Sequence, residues 1–132
     1  MKYLLDTNIC IYFLNQNEKI VNKINKIADS DLAISIISLA ELQFGAFNSQ
    51  KIKSNLGKIN AFQEALEIIT LTPAITEKYA DIKAMLRKTG QTVDDFDILI
   101  GATALVYDLI LVTNNQQHFA RMKKARLENW LE

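Results

Sequence analysis

Three carboxylates stand in three separated stretches of the chain, each where apolar sequence turns polar or helical. They are Asp6 in Tyr3-Leu4-Leu5-Asp6-Thr7-Asn8, Glu41 in Ser38-Leu39-Ala40-Glu41-Leu42, and Asp97 in Phe96-Asp97-Ile98-Leu99-Ile100. Gathered by a fold, they make an all-oxygen pocket for a hard divalent cation such as Mg²⁺ or Mn²⁺, a common means of attacking a phosphodiester. Carboxylates held close together repel, so they either bind cations or carry raised pKa values. The chain has no His/Cys spacing for zinc, no Gly-rich phosphate loop and no Ser/His/Asp pattern. A hard-metal site is the coherent catalytic proposal that remains.

Each acid has a plainer reading. Asp6 ends an apolar run and could cap a helix, although Thr7 and Asn8 can supply that cap. Ser38 and Glu41 have the Ser-x-x-Glu spacing of a capping box, and taken alone the pair reads that way. Asp97 stands at the front of an otherwise apolar helix, where a carboxylate needs a partner or a metal. Asp94 and Asp95, just before it, read as charges that complement a helix N-terminus.

The elements that must position these acids alternate between strand and helix. Tyr3 to Asp6 and Leu32 to Ile36 read as short buried strands, followed by a third at Glu67 to Leu71 and a fourth at Leu109 to Val112. Leu127 to Trp130 adds a short last strand with Trp130 closing the core. Between them lie a short apolar helix (Ile9 to Leu14), an amphipathic surface helix (Glu18 to Ala28) and a long helix from about Ser49 to Ala65. A further helix opens at Thr72-Pro73 and stops at Gly90, and a tightly packed one runs from Phe96 to Tyr107 with Gly101, Ala102 and Ala104. Strands separated by helices imply a parallel sheet covered on both faces, with its ligand site beyond the carboxyl ends of the strands. Asp6 and Thr113-Asn114-Asn115 fall at such ends.

The 132 residues suit one domain, and 49% hydrophobic against 23% charged residues is ordinary for a globular protein. No apolar run reaches the roughly 20 residues of a membrane span and no leader is evident, so a cytoplasmic location is expected. The single Cys10, in apolar surroundings, reads as a packing thiol. Fifteen basic and fifteen acidic residues cancel, so no global charge marks a nucleic-acid binder. Two local basic clusters, Lys51-Lys53-Lys58 and Arg121-Lys123-Lys124-Arg126, are either solvated surface or a hold for a polyanion beside the acids. A receiver domain shares the strand rhythm but needs an Asp after the third strand and a Lys after the fourth. Those places read Leu71-Thr72-Pro73 and Val112-Thr113-Asn114, so that rival fails.

Leu4-Leu5-Asp6-Thr7-Asn8-Ile9, Ile36 to Gly45, Phe96 to Ala102 and Leu111-Val112-Thr113-Asn114-Asn115, in that order, resemble a PIN-domain ribonuclease, specifically the VapC toxins of type II toxin–antitoxin pairs. The likeness runs from the first strand to Glu128-Asn129-Trp130. It implies an α/β fold, a three-layer α/β/α sandwich with a central parallel sheet of four to five strands, assembled as a homodimer. It also implies an endoribonuclease dependent on Mg²⁺ or Mn²⁺ that cuts RNA, most commonly tRNA, and is inhibited by a small VapB-like antitoxin. On this likeness Asp6, Glu41 and Asp97 are the catalytic acids. Asp6 and Asp97 ligate the metal directly, while Glu41 acts through water. Thr7 and Thr113 support the site by hydrogen bonding, and Asn8 ties the strand end to its neighbours. Many family members carry a fourth acid after the fourth strand; here the two corresponding places hold Asn115 and His118, which leaves one-metal chemistry open. Asn115 can still ligate through its carbonyl. His118, the only histidine, reads as an exposed helix-start residue, a contact for RNA phosphate or a proton donor. The alternative to the enzyme is a catalytically silent PIN-like module that binds RNA or protein.

Overall fold

A computed structural model describes residues 1–132. Five parallel strands form one sheet in the order β3-β2-β1-β4-β5: β1 Tyr3–Leu5, β2 Leu32–Ser35, β3 Glu67–Ile69, β4 Ile110–Val112 and β5 Leu127–Glu128. Side chains alternate across a strand, and this sheet shows it residue by residue. Leu4, Ala33 and Leu111 enter one core; Leu5, Leu32, Ile34 and Val112 enter the other. α1 (Thr7–Leu14), α2 (Glu18–Asn25), α3 (Ile36–Phe47) and α4 (Ile52–Ala65) supply the core that holds Leu5. α5 (Pro73–Lys88), α6 (Asp95–Val106) and the short α7 (Gln116–Phe119) supply the core that holds Leu4. The result is the expected three-layer α/β/α sandwich.

The chain builds outward from β1 to β3, then returns to place β4 on the other side of β1. The strand order therefore reverses between β1 and β4, and a crevice opens there beyond their carboxyl ends. Leu5 is in register with Val112, so the next residues, Asp6 and Thr113, meet across that crevice.

Local chemistry sets the helix starts. Thr72 caps α5 through its hydroxyl, with Pro73 at the first helical position, and Asp94 caps α6 by accepting from Phe96 N. Asp95 instead pairs with Lys83 at 2.8 Å and accepts from the Tyr79 hydroxyl. Gly90, at φ +72°, closes the end of α5 in the left-handed region that glycine adopts freely. Cys10 is fully buried and burial pushes its thiol pKa up, so it is a packing group. No helix is long and apolar enough to cross a membrane.

Three readings of helix starts are corrected. The cap of α3 is Ser35, whose hydroxyl accepts from Ile37 N at 3.0 Å. The helix thus begins one turn earlier than a Ser38 cap requires, and Ser38 and Glu41 both lie inside it, with no capping box. The cap of α1 is Asp6 itself, which accepts from Thr7 N, so Thr7 and Asn8 do not relieve it of that role. His118 starts no exposed helix; it is the third residue of α7, half-buried.

Candidate active site

Asp6 is carried to the switch point by β1 and turned inward by the first turn of α1. It is 4% exposed. Its two oxygens are spoken for: Oδ1 accepts from Thr7 N at 2.7 Å, and Oδ2 accepts from the Thr113 hydroxyl at 2.7 Å. Thr113 Oγ1 in turn accepts from Asn115 N at 2.9 Å, which fixes the loop after β4. Burial raises the Asp6 carboxyl to about 6, opposed by the two hydrogen bonds and reinforced by the nearby charges of Asp97 and Glu41.

Glu41 lies half-buried on α3 and reaches toward α1. Its Oε1 accepts from the Thr7 hydroxyl at 2.7 Å, and the Thr7 and Ser38 hydroxyls are 3.0 Å apart. A carboxylate only accepts, so the one Thr7 proton goes to Glu41 and Ser38 donates to Thr7. Ser38 is fully buried to do this. Thr7 therefore serves the first acid through its backbone and the second through its side chain.

Asp97, in the first turn of α6, is a quarter exposed. Burial raises its carboxyl, Asp94 adds to the rise, and a hydrogen bond from His118 opposes it. His118 Nδ1 stands 3.5 Å from Asp97 Oδ2 and 3.0 Å from Asn115 Nδ2. Asn115 and His118 thus form one edge of the site, joined to Asp97 on one side and through Thr113 to Asp6 on the other. Asn8 is exposed at the mouth and its side chain makes no hydrogen bond, so the expected tie to the neighbouring strands is absent.

All three acids line a single cavity of about 400 Å³, with Thr7, Asn8 and Asn115. Two aromatic rings line it as well, Phe44 of α3 and Phe96 of α6. Sequence patterns mark neither ring as part of a site and mark Ser38 only as a helix cap. A larger apolar cavity of about 610 Å³ under α2 and α4 contains none of the three acids. Of the basic clusters, Lys58 lines an adjoining cavity that shares Glu41. In the C-terminal cluster, Arg121 donates to Thr92 O and Arg126 pairs with Asp108.

The PIN domain family profile matches residues 3–125. The chain belongs to the PIN-domain family. Within that family it is 38% identical over 132 residues to ribonuclease VapC2 of Rickettsia felis, covering 98% of each chain. It is 33% identical over 130 residues to the tRNA(fMet)-specific endonuclease VapC of Shigella flexneri, again covering 98% of each. A crystal structure of VapBC2 from Rickettsia felis, bound to a DNA fragment from its promoter, superposes with a TM-score of 0.91 at 37% identity, covering 98% of this chain and 99% of that one. The PIN fold, the order of its motifs and these full-length likenesses make the chain a VapC-type endoribonuclease.

The residues of this PIN domain suit a hard divalent cation. The potential donors are oxygens, and burial first, then the charges of two further acids, push the Asp6 carboxyl toward the neutral form, which a dication opposes. No group of three or more His, Cys, Asp or Glu side chains closes into a ready cage.

Proposed function

We propose that residues 1–132 form one PIN domain acting in the cytoplasm as the toxin of a toxin–antitoxin pair, a ribonuclease dependent on Mg²⁺ or Mn²⁺ with tRNA as its substrate. The observation that carries this reading is the convergence of Asp6, Glu41 and Asp97 on one cavity at the switch point. Asp6 and Asp97 would hold the cation. Bound there, it would supply charge neutralisation at the scissile phosphate and acidify the attacking water. Glu41, fixed by Thr7, is placed to orient that water and accept its proton. Thr113 and Thr7 keep Asp6 ionised by donating to it. Asn115 and His118 hold the far edge, with His118 restraining Asp97.

The substrate class follows the relative named as a tRNA(fMet)-specific endonuclease. The antitoxin partner follows the VapBC complex, and a homodimer is the assembly we infer. The test is cleavage of purified tRNA with Mg²⁺ or Mn²⁺ by the wild type, Asp6→Asn and Asp97→Asn. Loss in both variants supports the proposal; cleavage undiminished in both overturns it. A silent RNA-binding module is the second reading, favoured by the neutral Asn115 at the cavity edge. No heat of Mn²⁺ binding at millimolar metal, together with no cleavage, would establish that module instead.

A further inference from the structure

The acid cavity has a conspicuous imbalance. Its ten lining residues include three acids and no Lys or Arg, so nothing in its wall attracts a polyanion by charge. The same wall presents two phenylalanines to water, Phe44 at 69% and Phe96 at 47% exposure. Phe44 lies three residues after Glu41 on α3, hence on the same helix face, and Phe96 immediately precedes Asp97 on α6. Each ring therefore stands beside one acid, on opposite helices of the crevice. Phe47 is 62% exposed on α3 as well but does not line the cavity. Neither ring belongs to either hydrophobic core, and bases of an unpaired strand stack on such exposed rings whatever their sequence.

We propose that Phe44 and Phe96 are the base-stacking residues of the ribonuclease, taking the bases on either side of the phosphate that the acids address. Stacking then provides the affinity that charge cannot in an acidic cavity, and it selects an unpaired RNA segment, since bases within a duplex have no free face. This rests on the ribonuclease reading above. Phe44 and Phe96 hold the bases, while the acids would hold the cation and the attacking water.

The experiment measures cleavage of a 12-nucleotide single-stranded RNA with Mn²⁺ by wild type, Phe44→Ala, Phe44→Leu, Phe44→Trp, Phe96→Ala and Phe47→Ala. Phe44→Ala and Phe96→Ala are expected to raise KM about tenfold or more with kcat changed far less. Phe44→Trp should restore KM and Phe44→Leu should not, because an aliphatic group of similar bulk fills space without a π-face. Phe47→Ala should match wild type. Fluorescence of Phe44→Trp should be quenched by the RNA in Ca²⁺. Equal KM values for Phe44→Ala, Phe96→Ala and Phe47→Ala overturn the inference while leaving the ribonuclease reading intact. Rescue by Leu, or a changed oligomeric state of Phe44→Ala in ultracentrifugation, also overturns it and makes the patch a protein interface. A wild type that cuts no RNA overturns both.

Discussion

Asp6 and Thr113 are separated by 107 residues and joined by one 2.7 Å hydrogen bond, at the place where the sheet reverses its strand order. The bond favours the charged form of an acid whose burial works against it. Replacing Thr113 by Val keeps the shape and removes the donor, so Asp6 should titrate above its present value of about 6. Mn²⁺ binding followed by calorimetry should weaken severalfold at pH 6, where protons compete with metal, and much less at pH 8. The variant should also lose about 1–3 kcal/mol of stability, because Asn115 N loses its acceptor too.

Asp6 also makes stability depend on pH in the metal-free protein. Its carboxyl pKa is raised from 3.8 unfolded to about 6 folded. Between those values the folded state keeps a proton that the unfolded chain has released. Stability is therefore highest below the unfolded pKa, falls as pH rises through the window, and levels off above 6. The full drop amounts to about 3 kcal/mol at two pKa units. Asp6→Asn does not titrate, so in urea melts it should lack this slope and be more stable than wild type at pH 7.5, while being inactive.

Asn115 stands at the cavity edge as a neutral residue. Asn115→Asp adds an acid within the same hydrogen-bonded edge as His118 and Thr113. Mn²⁺ affinity at pH 8 should rise about tenfold, since cation affinity grows with ligand charge. Without metal the added charge should push Asp6 and Asp97 further up and lower the melting temperature.

Gly101 is tightly constrained by packing. A Cβ there would collide with Met122 Sδ, which is itself buried against Phe119 in the core. Gly101→Ala should cost about 1–3 kcal/mol in chemical denaturation, the usual penalty of overpacking. Combined with Met122→Ala the cost should be less than the sum of the two single changes, because the cavity left by one accommodates the other.

The strand rhythm was legible because buried parallel strands are short runs such as Leu4-Leu5 and Ile110-Leu111-Val112, with helices between them. Asp6 and Asp97 were legible from their type at a strand end and a helix start, whereas Glu41, inside α3, was legible only in their company. Helix starts were less so. Ser35 and Ser38 are both serines before an apolar helix, and only the backbone turn at Ser35 decides which one caps. Ser38 was thereby freed to bind Thr7, a contact 31 residues away that no local pattern carries. His118 looked solvent-facing because α7 is only four residues long, too short for a periodic signal. Nothing in the sequence singled out Phe44 and Phe96, because a hydrophobic side chain carries no mark of which way its helix face will turn.

The placement of β4 beside β1 also bears on when the site can assemble. A chain emerging from the ribosome presents Asp6 and Glu41 early, but Asp97 and Thr113 arrive only in its last third, and β1 waits for β4 until then. The nascent chain therefore carries the proposed site in incomplete form. Any length of chain that ends before α6 holds at most two of the three acids and has no crevice in which to gather them.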